Sequence, residues 1–148
     1  VSIGHTWGEP LEPVKPARRD LRADTIGRLA KGTMQIAGAL YLAQRGQCFH
    51  CGGAMPLFGK REHPGACSRE HAMAASDRPG HPMINGACVL AHKVCNAVRD
   101  DRPLTATEWR RAGEIWAIAD RLWIGSNGAR SQLPIWIELA KQQQQETT

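Results

Sequence analysis

Apolar side chains in residues 20–45 fall at Ile26, Leu29, Ile36, Leu40 and Leu42, steps that one face of a helix can bury. The pattern predicts a helix there, with Asp24 or Thr25 at its start and Gly46 at its stop. Gly27, Gly32 and Gly38 weaken it by about 1 kcal/mol each against alanine. A stronger amphipathic pattern covers residues 108–123. Trp109, Ala112, Ile115, Trp116, Ala119 and Trp123 make an apolar stripe, and Arg110, Arg111, Glu114, Asp120 and Arg121 fall mainly off it. Thr105 or Thr107 is the expected cap. The tryptophan stripe predicts core or interface packing rather than a platform for stacking bases. Pro134 opens a last helix that reaches Leu139, and the polar tail KQQQQETT is expected to fray.

Between these helices the period is lost. Residues 46–53, GQCFHCGG, read as a tight knuckle, and residues 54–68 as irregular chain. A short strand is predicted over 68–75, a loop over 76–86 and a helix over 87–99, limited by Pro103. Ahead of residue 20, Pro10, Pro13 and Pro16 with Gly4 and Gly8 predict an extended arm that ends in Lys15, Arg18 and Arg19. It is either a tail or a basic strand for a phosphate backbone. The expected organisation is an arm over 1–19, a core with its preceding helix over 20–105, a helical extension over 106–140 and a polar tail over 141–148.

Composition narrows the class. The 148 residues are 42% hydrophobic and 22% charged, an ordinary globular balance. No apolar run approaches the roughly 20 residues that span a bilayer, so no membrane contact is expected. No basic segment followed by an apolar one marks a secretory signal, and a cytoplasmic setting is expected. The net charge of +5 suits a polyanion such as DNA, with RNA less favoured. Five cysteines, an odd number, argue for metal rather than a disulfide framework.

The cysteines fall into a pattern. Cys48-Phe-His-Cys51 is a C-x2-C pair, and His92-Lys-Val-Cys95 repeats the spacing as H-x2-C. Together they make a Cys3His set, which structural zinc prefers. Such an ion would staple two distant segments and turn binding free energy into folding free energy. Gly52 and Gly53 suit a turn that needs positive φ. His50 could compete for the ion but lies inside the pair and is expected to point away; Cys88 reads as a buried small hydrophobe, and Cys67 has no assignment.

Arg69-Glu70-His71 lies between the two pairs, and Asn96 directly follows the last one. A metal-dependent nuclease needs a base near neutral pH, which His71 can be, and hard oxygen ligands for a divalent cation, which Glu70 and Asn96 can supply. On a strand Glu70 and His71 point to opposite faces, an arrangement that works only if the ion sits at the strand edge. Arg69, Arg78, Lys93 and Arg99 flank these residues as candidate phosphate contacts, Arg69 first among them. His63 and His81 read as solvated loop histidines.

The ordered set Cys48-x2-Cys51, Arg69-Glu70-His71, Cys88-Val-Leu-Ala-His-Lys-Val-Cys-Asn96 and Arg99-Asp-Asp-Arg-Pro-Leu104 resembles the HNH endonuclease family. It is most similar to short phage and bacterial members that read REH, then LVLAHxxCN, then DRPL. The resemblance covers residues 46–105. It implies a small α+β fold, a ββα-metal (His-Me finger) centre with a structural zinc, flanked by helices. It implies Glu70 as acidic ligand of a catalytic Mg²⁺, Mn²⁺ or similar ion, His71 as general base, Asn96 as last ligand, and Cys48, Cys51, His92 and Cys95 as the zinc set. The chain departs from the pattern where the family's middle asparagine falls at Ala87; Asn85 lies two residues earlier. Ala74 stands where a proline is usual, and a Gly-Gly of the loop is reduced to Gly80. Two other readings remain: a zinc-stabilised DNA-binding module without catalysis, and an accessory protein of phage packaging that contacts a terminase or similar partner.

Overall fold

A computed structural model describes residues 36–56, 64–123 and 132–147. The basic arm, His63 and most of the helix expected over 20–45 lie outside them. The described elements are α1 (Ile36–Ala43), β1 (Cys67–His71), a one-turn helix α2 (Pro82–Asn85), β2 (Cys88–His92), α3 (Lys93–Arg99), α4 (Ala106–Leu122) and α5 (Leu133–Thr147). The architecture is α+β, a small antiparallel sheet among helices.

β1 and β2 pair antiparallel with Cys67 opposite His92, Arg69 opposite Leu90 and His71 opposite Cys88. β1 alternates as a half-buried strand should: Arg69 and His71 are exposed and Glu70 is buried. β2 is buried at all five positions. That burial explains why residues 88–92, expected to be helical, form a strand. A short continuous apolar run carries no period that separates a buried strand from a buried helix. Helix begins only after His92, and α3 leaves the sheet directly. β1 is also shorter than expected and ends at His71, with a 3₁₀ turn over Ala75–Asp77.

The knuckle docks on the outer edge of β2. Phe49 N donates to Leu90 O at 3.0 Å. The fully buried Gln44 bonds both backbone groups of Leu90, its Nε2 donating to the carbonyl and its Oε1 accepting from the amide, each at 2.8 Å. Within the knuckle, Gly52 takes φ 75°, a region open to glycine at little cost.

Below the sheet lies a tryptophan core. α4 begins with a capping box: Thr105 Oγ1 accepts from Glu108 N, and Glu108 Oε1 accepts from Thr105 N. Its stripe buries Trp109, Ala112, Ile115, Trp116 and Ala119, as the pattern predicts. Trp116 meets Trp109 and Trp136 edge-to-face at 6.3 and 5.6 Å, and its Nε1 donates to Cys88 O at 2.9 Å. One side chain therefore ties α4 to α5 and to β2. The glutamine tail does not end at Leu139 as expected but stays helical to Thr147. Glutamine is a good helix former, and the turns before it are anchored by buried Trp136, Leu139 and Ala140. No helix among the described residues is long and apolar enough to cross a membrane.

Candidate functional site

Cys48 and Cys51 come from the knuckle, His92 from the last position of β2, and Cys95 from the first turn of α3. Their ligand atoms all lie within 4.8 Å of one another. His92 Nδ1 is 3.2 Å from Cys51 Sγ and 3.8 Å from Cys95 Sγ. Tetrahedral zinc with its usual bond lengths would hold nitrogen and sulfur roughly 3.6 Å apart. The other ring nitrogen, Nε2, lies 2.9 Å from Ala54 O, so Nδ1 is the nitrogen that faces the thiols.

Backbone amides support the sulfurs. His92 N donates to Cys48 Sγ and Gly53 N to Cys51 Sγ, both at 3.3 Å. Burial pushes the Cys48 thiol up, but the His92 side chain and nearby backbone donors outweigh it and hold Cys48 below its ordinary value. Burial and the charge of Cys48 and Cys51 push Cys95 up. That repulsion is what a divalent cation at the centre would reverse. The four residues fit a structural zinc, and the set is a candidate zinc site. Cys67 and Cys88 lie outside it; burial pushes their thiols to about 12 and about 11, so they are inert hydrophobes.

The residues expected to do chemistry divide between two sides of β1. His71 ends the strand on the exposed face shared with Arg69. Its pKa is lowered, first by partial burial and then by Arg78, Arg69 and Arg99, so the imidazole is neutral near pH 7. Asn96, half-buried on α3, donates through Nδ2 to Arg69 O at 3.3 Å and more weakly to Ser68 Oγ at 3.5 Å. This fixes the carboxamide against β1 through its amide nitrogen. Arg69, Arg78 and Lys93 are exposed, and the charges of Arg69 and Arg78 reach His71.

Glu70 does not join them. Its side chain is 1% exposed and points into the body of the protein. One carboxylate oxygen bonds His50 Nε2, and the other lies 3.4 Å from Arg99 Nη1. Arg99 is likewise no phosphate contact, because its side chain is only 3% exposed. His50 points away from the thiols, as expected, with its other nitrogen 3.5 Å from Glu108, which Arg102 holds in turn. This network of Arg99, Glu70, His50, Glu108 and Arg102, which runs from the buried interior out to the surface, had one trace in the sequence, the Thr-x-x-Glu cap signature at Thr105. Asn85, two residues before the position of the missing asparagine, ends α2, and the carbonyls of His71 and Ala72 accept from Arg99. His81 caps α2, its Nδ1 accepting from Met83 N at 3.2 Å. No family model, no curated protein and no solved structure matches the chain, so its geometry is the ground for any reading of its function.

Proposed function

We propose that the chain is a zinc-stapled nuclease that hydrolyses phosphodiester bonds in DNA with a divalent metal, its working unit being β1, β2 and α3. Cys48, Cys51, His92 and Cys95 would hold the structural zinc. The observation that carries the reading is the exposed face of β1: His71 shares it with Arg69, Arg78 lies near enough for its charge to act on the imidazole, and the Asn96 carboxamide is fixed against Arg69 O.

The chemistry follows from those groups. His71 takes the proton from the attacking water, which a neutral imidazole does well near pH 7. Arg69 holds a non-bridging phosphate oxygen, and Arg78 and Lys93 bind flanking phosphates. Asn96 Oδ1 is a hard oxygen ligand for Mg²⁺ or Mn²⁺. Such an ion, when bound, neutralises charge on the leaving oxygen. Glu70 could serve the same ion only by exchanging His50 and Arg99 for it.

That enclosure of Glu70 favours a second reading, a zinc-stabilised DNA-binding module that does not cut. One experiment separates the two. Zinc-loaded protein is incubated with supercoiled plasmid and added Mg²⁺ or Mn²⁺, beside the His71→Ala variant. The nuclease reading expects metal-dependent cleavage that falls at least about 10²-fold in the variant. Plasmid binding with no cleavage under either metal would establish the second reading. Cleavage unchanged by His71→Ala would reject the base.

A further inference from the structure

Arg99 closes α3, yet its guanidinium faces inward and meets backbone from two separate segments. Nε donates to Arg102 O at 2.7 Å, Nη1 to His71 O at 2.5 Å and Nη2 to Ala72 O at 2.8 Å. Nη1 also lies 3.4 Å from Glu70 Oε1. One planar group thus spans the end of β1 and the turn that follows α3. A guanidinium can do this because its N–H groups form a fixed fork, whereas an ammonium offers a single nitrogen.

The neighbouring strand supplies no substitute. Ala87 meets this stretch through its backbone alone, its carbonyl accepting from Ala72 N at 2.8 Å. The carbonyl of His71 is therefore oriented from α3. Asn96 stands three residues before Arg99 on that helix and grips Arg69 O. Alternate residues of β1, both bearing exposed side chains, are clamped by one short helix, which also carries Cys95.

We propose that Arg99 is a positioning residue for His71: by holding the carbonyls of residues 71 and 72 it sets the direction in which the imidazole leaves the end of β1. The clamp stands on its own geometry; its consequence for turnover rests on the nuclease reading above. Arg99 touches neither phosphate nor water in this role.

The test uses the zinc-loaded full chain and Arg99→Lys, which keeps a cation beside Glu70 but cannot reach three carbonyls at once. Arg121→Lys, at the far end of α4, is the control. We expect Arg99→Lys to retain one zinc and to bind DNA within about twofold of wild type, while kcat drops roughly 10²-fold, the scale of a misplaced catalytic group. A folded Arg99→Lys with wild-type kcat overturns the proposal. Two readouts need no cleavage. The carbonyl carbon shifts of residues 71 and 72, with the ring shifts of His71, should move in Arg99→Lys and not in the control; unmoved shifts overturn the clamp. In wild type the guanidinium protons of Arg99 should exchange slowly with water, and exchange at the rate of free arginine overturns it even if the variant does not fold. A wild type that never cuts would sink the nuclease reading and leave these two results to judge the clamp.

Discussion

His50 sits between two carboxylates, Glu70 on one ring nitrogen and Glu108 on the other, so neither nitrogen is left to act as a base. Burial alone would lower its pKa, but Glu108 and Glu70 outweigh burial and raise it from 6.5 to about 9. A pKa raised on folding stabilises fully below the unfolded value and loses that contribution as pH climbs through the folded one. The melting temperature of zinc-saturated protein is therefore expected to fall between those two values, and His50→Gln should flatten that slope; a scan of melting temperature against pH checks it. Glu70→Gln should be costly in a different way. It removes the counter-charge of a buried arginine and histidine, a loss of about 3 kcal/mol that denaturant unfolding would read. The clustering of Cys48, Cys51, His92 and Cys95 was legible because their pairs repeat one local spacing. The burial of Glu70 and Arg99 was not, because it depends on partners such as His50 for Glu70 and the His71 carbonyl for Arg99, which lie 20 and 28 positions away in the chain.

Among the elements, α4 was the most legible. Its apolar stripe matches the helical period, and Thr105 and Glu108 announce its start. Thr105→Ala should cost about 1 kcal/mol, since it leaves the amide of Glu108 without its acceptor. It should also loosen Glu108 from His50, so its effect and that of His50→Gln should fail to add in a double-mutant cycle. β2 was the least legible to period alone, because all five residues are enclosed and no face is left polar. Trp116→Phe tests how α4 holds that strand. It keeps most of the buried ring but abandons Cys88 O, and equilibrium unfolding should report a loss of about 1–3 kcal/mol.

At the scale of the molecule, one half gathers around the candidate zinc ligands and the other around tryptophan. The knuckle, β2 and α3 meet through four ligand atoms, whereas α4 and α5 share a packed aromatic seam. Chelation of zinc should accordingly raise hydrogen exchange across residues 46–55 and 88–99 well before α4 and α5 lose protection. Uniform loss across the chain would mean that the two halves fold as one unit. Sequence periodicity could anticipate the aromatic half, and residue spacing the metal half. Neither could show how they are joined, since that depends on single contacts such as Trp116 to Cys88. The sheet itself has a last consequence. At the rung formed by Arg69 and Leu90, a carboxamide covers each outer side, Asn96 on one strand and Gln44 on the other. Bare strand borders are templates on which further chains can stack. Here Gln44 occupies both backbone groups of Leu90 and Asn96 the carbonyl of Arg69, so each border of the two-stranded ribbon offers an incoming strand fewer free partners at mid-length.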